Sequence, residues 1–483
     1  MAQVDITGIQ HYTQGIGHPK ADVESLPPVE WTDSTGTALR TPAGAAFDIS
    51  KINRDVVLVG DSITAYNYQI EDTPYPPPYS SSVNNKSYIG YGYFTWANAL
   101  LYQAFNVVYY GGVSGQRTDS ILARVPALCN LGAGWFVEMS GTNDVAQLNG
   151  IYGGNATLAE NSIVANRLAM WRLMLATNAV VIVMGMYPAG LSQSWSAAQL
   201  SLCTRVNRRL KALCAANGNL IYVDSMAAMV DQSSAAGVAD ASKLSDGLHP
   251  NALGAYALGK QLYLAVRNYM PMTVAADSLV SSQLDCIQSD TSSKNLLTAS
   301  QGLFLSGTSA AAGAGMSGTQ VTAWAVNRQV GSGTAVASVV PDSDGVGNAQ
   351  RLVITSGGAG EVFRCYVAAT GVSISNVPAG TQWYAESKVV VSGATGLKGC
   401  HLEARIDFTG SAMASPIEND SLYMPTVSGS NSDSYTVILR TPLVTLPVDA
   451  TGLTTLRGGV YMCFNAAGGA TVDVSRVAFV RAN

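Results

Sequence analysis

Between residues 52 and 270 the chain alternates short, continuously apolar runs with amphipathic runs of helical period, and this alternation constrains the fold more than any other feature. "DVVLVG" (Asp55–Gly60), "NVVYYGG" (Asn106–Gly112), "GWFVEMSG" (Gly134–Gly141), "AVVIVMGMYP" and "NLIYVD" (Asn219–Asp224) read as strands. They carry no polar alternation, as expected of strands covered on both faces. "FTWANALLYQAF" (Phe94–Phe105), "RTDSILARVPAL", "ENSIVANRLAMWRLMLATN", "SAAQLSLCTRVNRRLKALCAANG" and "ALGAYALGKQLYLAVRNYM" read as the intervening helices. Repeated strand–helix units imply a parallel sheet with helices on both faces, an α/β domain of three layers.

The pattern changes after residue 270. Residues 271–294 are rich in Ser, Asp and Ala and read as a linker or a first strand. From Asn295 to residue 483 short runs alternate apolar and polar positions, most clearly in "CHLEARIDFTG". Period two without helical signal predicts an all-β sandwich. Residues 1–51 read as an N-terminal arm, either an attachment or oligomerisation segment or a loosely packed lead-in.

Composition narrows the partners. Charged residues are 12% of the chain against a usual ~25%, and the net charge is −5 with no basic tract. Nucleic-acid and anionic-membrane binding are therefore not expected. The seven cysteines form no CxxC pair and read mainly as reduced core residues, with a Cys365–Cys400 or Cys400–Cys463 disulfide as the alternative. His11, His18, His249 and His401 lack metal-ligand spacing. No apolar h-region opens the sequence, and no run is long enough to span a bilayer.

The strand ends carry the chemistry, because open parallel sheets bind ligands at the carboxyl edge. The first strand ends on "GDSIT", which exposes Ser62; a tight turn into a helix would explain that serine equally well on its own. The second runs into "GGVSGQRTDS", where Gly115 is either a turn glycine or an anion-binding N–H. The third runs into "SGTND", where Asn143 either caps a helix or presents its amide. After the fifth comes "SDGLHPN", in which Asp246 and His249 are three apart, the spacing that lets a carboxylate orient an imidazole.

Taken in order, "GDSIT", "GGVSG", "GTND" and "DGLHP" resemble the blocks of the SGNH, or GDSL-type, hydrolases over residues 52–270. The nucleophile follows the first strand and not a central GxSxG elbow, unlike the other α/β-hydrolases. The resemblance implies an ester hydrolase with Ser62 as nucleophile, His249 as base and Asp246 as its partner. It implies an oxyanion hole of the Ser62 and Gly115 N–H groups and the Asn143 amide, with no cofactor and no metal. The family's substrates include lipids, thioesters and acetylated sugars. The Tyr-rich insertion after the serine, with Tyr66 and Tyr68, suggests a sugar, or else a loop packing its own aromatics. "NLLTASQGLFLSG" and "GGATVDVSRVAFV" resemble the ends of jelly-roll carbohydrate-binding modules, in which Trp324 and Trp383 are candidate platform aromatics or else core residues. The expected activity is O-deacetylation of a bacterial surface polysaccharide. A Gly/Ser/Thr-rich chain with a β-rich tail also resembles bacteriophage tail esterases, which implies a virion or extracellular location, attachment through the N-terminal arm and a homo-trimer. The alternatives are a generic secreted esterase or lipase with a structural sandwich, and a receptor-binding adhesin with a vestigial hydrolase fold.

Overall fold

The computed structural model describes residues 53–67, 70–71, 85–89, 92–235, 237–270, 295–369, 380–409, 417–423, 432–441, 443–445 and 452–482. The expected N-terminal arm, the 271–294 linker, Tyr68 and Cys286 lie outside them. The chain divides into two units. The first comprises Met1–Tyr68, Phe105–Pro250 and Tyr256–Pro271; the second comprises Gln69–Ala104, Asn251–Ala255 and Met272–Asn483. The boundary thus differs from the single 52–270 domain read from the sequence. Residues 69–104 interrupt the first unit and pack with the second.

In chain order the elements begin with β1 (Asp55–Gly60) and α1 (Ser62–Ala65). The second unit's β2 (Ile70–Glu71), β3 (Asn85–Ile89) and α2 (Tyr93–Leu100) follow. The chain continues through β4 (Asn106–Gly112), α3 (Thr118–Cys129), β5 (Trp135–Met139), α4 (Thr142–Ala146), α5 (Leu148–Ile151) and α6 (Ala156–Leu175). Next come β6 (Val180–Met184), α7 (Ala197–Ala215), β7 (Leu220–Val223), α8 (Ser225–Met229) and α9 (Ala252–Val266).

The first unit holds a parallel five-stranded sheet in the order β4-β1-β5-β6-β7. This is the flavodoxin-like order, in which the winding reverses beside the first strand. The reversal opens a crevice at the carboxyl ends of β1 and β5. Burial follows position: β5 and β6 are wholly buried, whereas β4, at the edge, exposes Val108 and Tyr109. The apolar run of β4 is therefore not a central strand, a distinction that apolarity alone does not make. The core joins Val57, Val59, Phe136, Val181 and Val183 of the sheet to Ile163, Met170 and Trp171 of α6 and Leu202, Val206 and Leu210 of α7.

The second unit is mostly β. A long antiparallel ribbon, β14 (Gln382–Thr409) with β18 (Gly452–Ala482), runs through it. Its register breaks repeatedly between Ser392 and Gly399. The carboxyl half of β18 pairs with β12 (Asn348–Ser356) and its amino half with β13 (Val362–Ala369), so one strand joins two sets of partners. Strand β3 adds in parallel to β15 (Ile417–Tyr423). Helix α2 lies against β16 (Tyr435–Arg440): Trp96 meets Tyr435 edge-on at 6.2 Å, and Gln103 Nε2 donates to the Ile438 carbonyl at 2.7 Å.

The expected helix through Phe105 stops at Leu100, because Tyr102 and Gln103 adopt left-handed backbone conformations. All six described cysteines are free, so neither candidate disulfide forms; Cys463 Sγ instead stands 3.8 Å from His401 Nδ1. Among the described residues no helix is long and apolar enough to cross a membrane.

Candidate active site

Strand β1 ends at Gly60, and Asp61 caps the single turn that follows, its carboxylate accepting the Ile63 N–H at 3.1 Å. Ser62 is therefore the first residue of α1, where a backbone N–H has no partner within the helix. Its Oγ lies 2.8 Å from His249 Nε2. His249 Nδ1 in turn lies 2.7 Å from Asp246 Oδ2. The other carboxylate oxygen, Oδ1, accepts the N–H groups of Leu248 (2.9 Å) and His249 (2.8 Å). Burial alone would raise the Asp246 carboxyl, but these bonds and the imidazole hold it below its ordinary value of 3.8. Asp246 is thus an anion aimed at Nδ1, which leaves Nε2 facing the serine. The half-buried Tyr66 ring stands 5.2 Å from the imidazole, tilted by 52°.

The two other strand-end motifs meet beside the serine's strand. Gly115 sits in the loop after β4 with φ +78°, and nothing lies within 4 Å of where a Cβ would stand. Glycine is needed there for its backbone conformation and not for space. Asn143, in the first turn of α4, donates from Nδ2 to the Gln116 carbonyl at 2.9 Å. That bond ties the amide to the Gly115 loop and uses one of its two N–H groups.

Sequence reasoning missed the groups that hold these loops. Asp144, next to Asn143, is buried and accepts the Thr118 N–H (2.9 Å), Thr118 Oγ1–H (3.0 Å) and Tyr152 O–H (2.7 Å). It therefore pins the Gly115 loop where that loop enters α3. Under the same edge, Glu138 of β5 is fully buried and accepts Arg167 Nε (2.9 Å), Arg167 Nη2 (2.7 Å), Trp171 Nε1 (3.0 Å) and the Ser140 hydroxyl. Arg167 also donates to the carbonyls of Ser140 (3.2 Å) and Met184 (2.8 Å), bracing the ends of β5 and β6. The signal was present: a glutamate inside the apolar run "WFVEM" needs a buried partner. Its identity, 29 residues away on α6, is a tertiary fact. Asp61 is fully buried as well, and burial pushes its carboxyl up to about 7 against the opposing Ile63 bond.

For two candidate sugar-platform residues the structure gives the core alternative. Trp324 is buried in the second unit, stacked on Phe304 at 4.5 Å, with Nε1 donating to the Gln301 carbonyl. Trp383 is buried too, its Nε1 on Thr381 Oγ1 at 2.7 Å. Rings this deeply buried offer no face to a ligand, so both tryptophans are core. The expected contact Tyr68 lies outside the described residues.

Residues 58–257 match the GDSL-like lipase/acylhydrolase family. That segment is a GDSL-type hydrolase domain. No curated protein matches the chain. Among solved structures, a putative acylhydrolase from Bacteroides fragilis is 22% identical and aligns over 46% of this chain and 92% of its own, with a TM-score of 0.33. A catalytic mutant of an acetylxylan esterase from Geobacillus stearothermophilus is 18% identical over 46% and 96%, with a TM-score of 0.32. Another acetyl xylan esterase is 17% identical over 44% and 99%, with a TM-score of 0.33. For the GDSL-type domain the family supports ester hydrolysis, and the domain places a serine, an imidazole and a carboxylate in a hydrogen-bonded line at the sheet's switch point.

Proposed function

We propose that this protein is a serine esterase acting on a carbohydrate, and that it removes acetyl groups from a polysaccharide. The Ser62–His249–Asp246 line carries the reading, with Nε2 2.8 Å from Oγ and Nδ1 2.7 Å from the carboxylate. A serine hydroxyl is a poor nucleophile until a base takes its proton. His249 Nε2 accepts that proton as Oγ attacks the ester carbonyl, and the Asp246 anion stabilises the imidazolium so formed. The carbonyl oxygen becomes an oxyanion, received by the N–H groups of Ser62 and Gly115 and the second N–H of Asn143. Preorganised donors of this kind are worth ~2.7–4 kcal/mol each. The imidazolium returns its proton to the leaving alcohol, an acyl-serine remains, and water activated by His249 releases the acid.

Two observations favour the carbohydrate half of the reading. The Tyr66 ring stands half-buried beside the base, and tyrosine is a residue type that packs on sugar rings. The insertion that follows it, Gln69–Ala104, which is crowded with tyrosines, belongs to the mostly-β unit. The test is acetate release from a panel of acetylated bacterial polysaccharides by the wild type and by Ser62→Ala. Loss of at least roughly 10⁴-fold in turnover is expected for the variant. A variant that releases acetate at the wild-type rate overturns the assignment, and a wild type active on simple esters but on no polysaccharide overturns the substrate class.

A further inference from the structure

The loop that carries the proposed base is held from outside by three hydrogen bonds to three successive carbonyls. Gln193 Nε2 donates to the Asp246 carbonyl at 2.7 Å, the Gly190 N–H to that of Gly247 at 2.8 Å, and Tyr187 Oη to that of Leu248 at 2.9 Å. All three donors come from the segment after β6. That segment ends in a single 3₁₀ turn, Leu191–Gln193, closed by Ser194 in the left-handed conformation at φ +50°. The fit is close: Gly247 has φ +87°, and a Cβ there would stand 1.9 Å from Ser192 Oγ.

This arrangement answers a physical need. The Asp246 side chain is 51% exposed, so burial does not hold its carboxylate under the imidazole and water competes for it. Its Oδ1 is bound to the backbone N–H groups of Leu248 and His249. The carboxylate is therefore rigidly coupled to the loop backbone, and whatever fixes the loop's carbonyls fixes the carboxylate. We propose that Tyr187, Gly190 and Gln193 form a latch that keeps Asp246 aimed at His249 Nδ1, with Gln193 as a positioning residue for the triad. The inference rests on the serine-esterase reading above. Gln193 is the informative member because it is exposed and bonds through its side chain, so replacing it leaves the core untouched.

The test uses the full-length protein and p-nitrophenyl acetate. Gln193→Met keeps the length of the side chain and removes the N–H; Gln193→Lys supplies a donor again. We expect the Met variant to lose roughly three- to ten-fold in kcat, the scale of one neutral hydrogen bond, with KM and melting temperature unchanged. The Lys variant should recover most of that loss. Because the latch acts through the carboxylate, Gln193→Met should cost nothing further in an Asp246→Asn background, a non-additivity that a merely structural residue does not show. Wild-type kcat in the Met variant, equal losses in Met and Lys, or an undiminished loss in the Asp246→Asn background each overturn the latch. If hydrolysis survives Ser62→Ala, the esterase reading falls and the latch with it. If Ser62→Ala is inactive and Gln193→Met is not impaired, the latch alone falls.

Discussion

Ending the chain at Met270 should not release a free-standing hydrolase, although the strand–helix pattern is complete by that point. The obstacle is residues 69–104. Strand β3 loses its partner β15, and α2 loses β16, with the Trp96–Tyr435 edge contact and the Gln103 bond to the Ile438 carbonyl. Tyr93, Phe94 and Trp96 are each essentially fully buried in the intact chain. Exposing three side chains of this size, at about 2–3 kcal/mol apiece, costs on the order of 6–9 kcal/mol. That rivals the ~5–15 kcal/mol total stability of an ordinary domain. The shortened chain should therefore elute as aggregate in size-exclusion chromatography and lack a cooperative melt. A second variant, also ending at Met270 but with residues 69–104 replaced by a flexible Gly/Ser linker, should be the more soluble of the two and the better p-nitrophenyl acetate hydrolase. The reasoning is refuted if the first variant is monomeric and melts as sharply as the full-length protein.

Asn143→Ala should lower kcat by about 10²–10³ with KM nearly unchanged, because an oxyanion donor strengthens its bond only in the transition state; a pure KM effect in steady-state kinetics would make Asn143 a binding or capping residue instead. An acetyl-specific site needs little apolar depth, so p-nitrophenyl acetate should be cleaved well and the octanoate poorly, and the reverse order would favour a lipase. Asp61, raised by burial from 3.8 to about 7, gives a pH signature. A carboxyl whose folded value lies above its unfolded one stabilises the fold at low pH and loses that contribution as pH rises through the interval. The wild-type melting temperature should therefore fall relative to Asp61→Asn between about pH 4 and pH 7, and parallel curves for the two proteins would contradict it.

How much of this was legible in advance depends on the range of the interactions. The strands β1, β5 and β6 could be read from continuous apolar runs, since a central parallel strand must be apolar on both faces. The site motifs could be read because each sits where a strand stops and a turn begins, and turn chemistry is local. Asp246 and His249 are three residues apart, and the structure joins them through the same short loop that the spacing suggested. The tryptophans stayed open between core and platform because an indole has the same sequence signature in a core as on a binding face. Trp324 is settled by Phe304 and Gln301, about twenty residues away.

The sequence by itself thus determined the alternation of strands and helices, the parallel sheet, the β-rich tail and the residue types presented at each strand end. These follow from periodicity and from turn preferences within a few residues. The tertiary structure alone decided that β4 lies at an edge, that residues 69–104 pack with the distant β unit, and that Glu138 has Arg167 for its partner. It also decided that Gln193 holds the carbonyl of a residue 53 positions away. Each of these is a pairing across a long stretch of chain. Its free energy depends on which surfaces meet after the chain has closed, and no window of neighbouring residues contains both partners.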